Sequence, residues 1–300
     1  SFIALLRTAS RRIMTTLPSG NQIGLGTAYV IAAALFFAAA PAVARVAADG
    51  MNVLGLVFWT NLWMFCFMCI WSRFSKSASS LGTSKLRLHF LRSCFTYAAI
   101  VTYFIAVVRI PFANAVILQS MGPVFVPILA LLVLRRMSDR FVWFGVAISF
   151  AGVLLIVRPD NLGVSIGESS AVLAALGGAA AALVIWSLGA SEPPDRQMFY
   201  FSLFALLLST ITLPWVWQVP KPVQMLQIMI IALFTIVGQF CYAKAFSVAP
   251  GDKVNTWIYM SLVFAVIIGL VVWDEPVFLT TLVGAGLVVI GAVLASKPSA

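Results

Sequence analysis

Acids are the scarcest chemistry in this chain: nine Asp and Glu among 300 residues, with one histidine and four cysteines. All nine acids fall in loops or at the ends of apolar runs. An intramembrane aspartyl protease needs paired acids inside the membrane, and this chain offers none there. A single histidine leaves no metal set; Cys66 and Cys69 form a C-x-x-C inside an apolar run, without the further Cys and His that zinc requires. No GxxxxGK[ST] loop is present, so no ATPase of its own is implied, and Gly284-Ala-Gly286 lies in an apolar run rather than a strand–helix turn. These absences predict no cofactor, no metal and no enzymatic activity, although a Ser–Lys arrangement stays open.

Charge as a whole is also sparse. Only 9% of residues are charged and 62% are hydrophobic, with mean hydropathy +1.05. A soluble domain carries about a quarter charged residues. The apolar runs are continuous for about 20 residues rather than alternating, which selects spanning helices over a transmembrane barrel. Ten candidate spans follow, near 23–44, 52–72, 89–108, 112–134 and 140–157, then 168–189, 197–217, 223–248, 253–273 and 277–295. The net charge of +10 would suggest nucleic acid in a soluble protein. Here the cations sit in short loops, so nucleic acid is not an expected partner and the lipid bilayer is. With the N-terminus in the cytoplasm, Arg45, Arg109, Arg158 and Lys221 are the loop cations on the outer side; those of the other loops and both tails are on the inner side. That bias predicts a multi-pass protein of the plasma membrane, the inner membrane of a bacterium, with both termini cytoplasmic. Residues 1–21, with Arg7, Arg11 and Arg12, read as a basic cytoplasmic tail rather than a signal peptide.

The chain also repeats itself. A shift of 139 residues lays Tyr103 on Tyr242, Ala106 on Ala245, Pro111 on Pro250 and Met121 on Met260, without a gap. Gly145 and Gly152 fall on Gly284 and Gly291 in the same register. The opening helices match as well, through Ile23–Gly24 and Ile166–Gly167. Five spans per half is an odd number, so the second half is inverted relative to the first, the architecture of secondary transporters with a midplane site.

The stretch from Leu118 through Pro123 to Arg158, and its echo from Trp257 through Glu275 to Lys297, resemble the paired EamA repeats of the drug/metabolite transporter superfamily. The resemblance covers nearly the whole chain from Gln22 to Pro298. It implies an all-α polytopic membrane protein of ten transmembrane helices in two inverted five-helix repeats, here 22–159 and 160–298. It also implies cytoplasmic termini and transport of small metabolites, often export of amino acids. The first half departs from the pattern with Arg136 where the second has Glu275, and the second has Leu262 where the first has Pro123.

Polar residues inside spans are costly, so each is a candidate for function. Gln119 sits within the fourth span. Gln239 and Tyr242 lie on one stripe of the eighth, and Tyr103 is the repeat mate of Tyr242. Asn255 and Tyr259 share a face of the ninth, Trp186 lies in the sixth, and Lys244 is a cation inside an apolar run. Together these residues form a candidate substrate-binding set. For each alone, an interhelical hydrogen bond or an interface anchor is the favoured reading, and for Lys244, as for His89 and Arg92, snorkelling to the membrane edge is favoured over a substrate contact. Pro41, Pro123 and Pro127 are candidate kinks or gates. The expectation is an alternating-access transporter of small amphipathic metabolites, amino acids including aromatic ones, working as an exporter, facilitator or exchanger without a carboxylate proton relay. It would act as a monomer or homodimer. A channel, an intramembrane enzyme and a non-transporting subunit are the alternatives.

Overall fold

The computed structural model describes residues 20–74, 82–122, 125, 128–129, 140–157, 165–189, 192–249, 254–275 and 278–295. The described residues are helical, without a strand. In chain order they form α1 (Gly20–Ala47), α2 (Val53–Phe74), α3 (Leu86–Val107), α4 (Phe112–Gln119) and α5 (Arg140–Val157). The second half holds α6 (Ile166–Gly189), α7 (Pro194–Val216), α8 (Pro222–Val248), a 3-10 turn (Asn255–Tyr259), α9 (Met260–Trp273) and α10 (Leu279–Ala295). These match the ten expected spans closely, with one informative exception described below. Six of them, α1 to α3 and α6 to α8, are long and apolar enough to cross a membrane. Large apolar side chains such as Trp215, Val271 and Leu279 are more than three-quarters exposed, which water would not tolerate and lipid does.

Local chemistry sets the helix ends. Ser165 and Glu168 form a reciprocal box at the start of α6: each backbone N–H donates to the other's side chain, at 2.9 and 3.3 Å. Pro194 and Pro222 open α7 and α8, where a missing N–H costs nothing. At the end of α9, Asp274 turns left-handed with φ of 49°, and Glu275 N–H reaches back to the Gly269 carbonyl.

The packing follows the repeat. α1 lies along α8, and α6 lies along α3; the repeat carries α1 to α6 and α3 to α8, so these two crossings are mates. α5 pairs with α10 and α2 with α7, each pair being its own mate. All four of these contacts join one half to the other, so the halves interlock rather than sit as separate bodies. Small residues permit the close approach. Ala33, Ala34 and Ala38 of α1 and Ala171, Ala174 and Ala175 of α6 are fully buried. The tight points are also mates. A Cβ at Gly177 would stand 3.2 Å from Ala99 and from the Phe95 carbonyl, and one at Gly238, the mate of Ala99, would stand 2.9 Å from Phe37.

Gly177→Val should therefore wedge α6 from α3 and destabilise by about 1–3 kcal/mol. Gly286→Val should leave the melting temperature unchanged within a degree or two, since among the described residues no atom of another element lies within 4 Å of a Cβ there. Thermal unfolding of the purified variants in detergent checks both.

Candidate functional site

The continuous span expected over 112–134 is broken. α4 ends at Gln119, Ser120 and Met121 form a turn, and helix resumes at Gly122. The mate of Ser120 is Tyr259, where the 3-10 turn gives way to α9. Both halves thus interrupt a spanning helix at the same register position. Irregular backbone at membrane depth is tolerated where it lines a cavity.

A cavity of about 210 Å³ lies at these breaks, between the two halves. Gln119, Ser120 and Gly122 border it from the first break, and Ile258 and Ser261 from the second. Its walls are mainly apolar, with Phe37, Tyr103 and Tyr242 supplying aromatic faces and Ala175, Gly178 and Ala179 supplying space. The Phe37 and Tyr242 rings meet edge-on, with centroids 5.9 Å apart. Among the described residues no acid, lysine, arginine or histidine lines it.

Of the residues singled out in the sequence, Tyr103, Gln119, Gln239, Tyr242 and Pro41 border this one cavity. Pro41 is accommodated within α1, which stays helical through it. Tyr259 instead points into the apolar core, 6% exposed, and its hydroxyl finds no hydrogen-bond partner. Lys244 is half-buried and does not border the cavity, because two residues along a helix from Tyr242 is a turn of about 200°. The side chains of Trp186 and Asn255, and Pro123 and Pro127 altogether, lie outside the described residues.

Sequence reasoning passed over Thr60, Asn61, Thr96 and Thr235, which also border the cavity. Their signal was available: each is a polar residue inside an apolar run. Snorkelling of Arg92 and His89 is overturned. Both are buried, Arg92 at 0% exposure. The Arg92 guanidinium donates to the Gln197 carbonyl at 2.9 Å and reaches the Gln239 amide oxygen at 3.4 Å, over the Phe201 ring. A helix α7 packed over α3 blocks its route to the interface and offers a carbonyl instead.

Two polar clusters close the ends of the bundle. At one end Glu275 pairs with Arg45, which also stacks on Trp273, and accepts the Phe112 N–H at 3.0 Å. Glu275 therefore caps α4 and ties it to α1 and the α9–α10 turn. At the other end Glu192 accepts hydrogen bonds from Arg196 and Thr83, both at 2.9 Å, with His89 Nε2 at 3.5 Å. Burial alone would raise the Glu192 pKa, but the hydrogen bonds from Arg196 and Thr83 and the neighbouring positive charge outweigh it and hold the carboxyl below its ordinary 4.5.

A cavity at the interface of two inverted halves, bordered by paired helix breaks inside an apolar bundle, defines a membrane transporter of small metabolites. The chain belongs to the EamA-like transporter family, whose sequence pattern matches residues 24–158 and 165–297. It is 29% identical over 203 residues to the pseudopaline exporter of Pseudomonas aeruginosa, covering 66% of this chain and 70% of that one. An uncharacterized transporter of Helicobacter pylori is 24% identical over 93% of this chain and 97% of its own. An S-adenosylmethionine uptake transporter of Rickettsia conorii is 21% identical over 70% of this chain and 72% of its own. A crystal structure shares the fold, with a TM-score of 0.64 at 14% identity, over 90% of this chain and 96% of that one.

Because the folded pKa of Glu192 is depressed, its contribution to stability is fully present above pH 4.5 and is lost as pH falls through the lower folded value. Melting temperature measured against pH should drop over that acid window in the wild type. Glu192→Gln should flatten part of the drop while lowering the plateau at neutral pH; an unchanged profile would show that the carboxylate carries none of it.

Proposed function

We propose that this chain is a secondary transporter of the bacterial inner membrane that moves small amphipathic metabolites, amino acids among them, by alternating access. The observation that carries the reading is the cavity at two repeat-related helix breaks, walled by Phe37, Tyr103 and Tyr242 with scattered amides and hydroxyls. A site of this make-up suits a molecule with an apolar or aromatic body and a few polar groups. Tyr103, Gln119, Gln239 and Tyr242 bind it, and Pro41 bends α1 beside it.

The two end clusters serve as the gates. Arg45–Glu275 stands on the outer face, where the loop cations are few, and His89–Glu192–Arg196 on the cytoplasmic face, with both termini on that side. Opening one gate while the other holds exposes the cavity to one side at a time. No carboxylate relay drives the cycle, in keeping with a lining free of acids among the described residues, so the substrate's own gradient or exchange does. Relatives named for export and for uptake share this family, so fold alone leaves the direction to the gradients. An exporter matches the exporter relative from Pseudomonas aeruginosa, which is the more similar of the two.

Reconstituted in liposomes, the chain should take up labelled amino acids saturably, and unlabelled substrate preloaded inside should accelerate entry several-fold. Flux that never saturates and ignores preloading would make it a channel. Gly178→Leu, whose Cβ would meet only the Gln119 amide at 3.9 Å among the described residues, should fill the cavity and cut counterflow at least ten-fold with little change in melting temperature.

A further inference from the structure

Resting on the reading of the cavity as a transport site, we propose that the substrate enters it carboxylate first, docking on Arg92, Thr96 and Gln239. Its apolar body then lies against Phe37, Tyr103 and Tyr242.

The buried charge of Arg92 has no anionic partner among the described residues. Arg92 sits six residues into α3, about 9 Å along the helix axis, and is wholly buried. Among the described residues no carboxylate lies within ion-pair distance of it; the nearby acid, Glu192, is taken up by Arg196, Thr83 and His89. A guanidinium has five N–H donors, and Nε here has no acceptor at all. Nη1 is held by a neutral carbonyl, and Nη2 reaches the Gln239 oxygen at 3.4 Å, beyond the usual range for such a bond. Two partial charges do not offset a full one in a medium where an unpaired ion costs several kcal/mol.

The cavity supplies the route by which an anion could reach that charge. Gln239 both borders the cavity and contacts Arg92, so a rotation of its amide opens the guanidinium to an occupant. Thr96 lies one turn further on the same face of α3, borders the cavity, and is buried with a hydroxyl that has no hydrogen-bond partner. A guanidinium and a hydroxyl donor four residues apart, both under-satisfied, the hydroxyl bordering the pocket and the guanidinium behind Gln239, which also borders it, form the cradle of a small oxyanion. A carboxylate fits better than a phosphate monoester: one negative charge neutralises Arg92, while a dianion would replace a surplus cation by a surplus anion.

The test is thermal stabilisation of the purified full chain in detergent, titrated with five probes sharing a phenyl body: L-phenylalanine, its amide, 3-phenylpropanoate, 3-phenylpropanamide and 2-phenylethyl phosphate. The proposal expects each carboxylate to bind at least ten-fold more tightly than its amide, and more tightly than the phosphate. Arg92→Gln and Thr96→Val should shrink that preference, with amide binding unchanged, and Arg92→Lys should keep part of it. Equal binding of acid and amide, tighter binding of the phosphate, or an Arg92→Gln variant that keeps the preference would overturn the proposal. If Arg92→Gln does not fold, the wild-type ratio and Thr96→Val still decide. Failure of every probe to bind overturns the carboxylate site; counterflow of cationic and neutral metabolites by the wild type then shows whether the transporter reading survives it.

Discussion

Inside a bilayer no solvent stands ready to hydrogen-bond a stray N–H or C=O, and each group left without a partner there costs several kcal/mol. Helices meet that demand for free along their length and fail to meet it at their ends. The structure is organised around where those ends fall. Most lie at the two faces of the bundle, where Ser165 with Glu168, Pro194, Pro222 and the left-handed Asp274 deal with them. Two more lie at depth, at Ser120 and Tyr259; Ser120 borders the cavity, and so do Ile258 and Ser261 on either side of the second break. Glu275 connects the two levels, because the helix it caps, α4, is the one whose other end opens on the cavity.

The interlocked packing gives the breaks their partner. Crossings of α1 with α8 and of α6 with α3 place small residues of one half close against the other, with ring contacts such as Phe36 on Phe234 beside them. Alanine and glycine surfaces are smooth, and a smooth interface can slide. The same crossings leave a gap where the helices diverge around Tyr103 and Tyr242, positions that the repeat relates to each other. Symmetry in the chain thus becomes symmetry in the wall of the cavity.

Electrostatics divides along the membrane normal. Acids are confined to the two ends, in Glu275 beside Arg45 and Glu192 beside Arg196, and the cavity between them carries none among its described lining. Arg92 breaks the pattern, held below the cavity by a carbonyl and an amide. On the proposed docking, this buried cation favours negative groups in an otherwise neutral pocket without the desolvation cost of a charge exposed on its wall.

Much of this was legible in one dimension. Hydropathy located the spans within a few residues, the 139-residue shift exposed the repeat, and polar residues in apolar runs marked Tyr103, Gln119, Gln239 and Tyr242, which meet at one cavity. The same rule also marked Lys244 and Tyr259, which do not border it, and left Thr60, Asn61 and Thr96 unremarked. The break after Gln119 went unseen because Ser120 and Met121 do not interrupt the apolar run. The sequence by itself determined that this chain spans a membrane as helices, how many times, and that its halves are related, since depth in a bilayer depends on each residue's own transfer free energy. Only the tertiary structure decided which way a side chain at a given depth faces. Lipid, cavity and a neighbouring helix are all open to a residue such as Arg92, and the choice rests on what the packed partners, here Gln197 and Gln239, offer it.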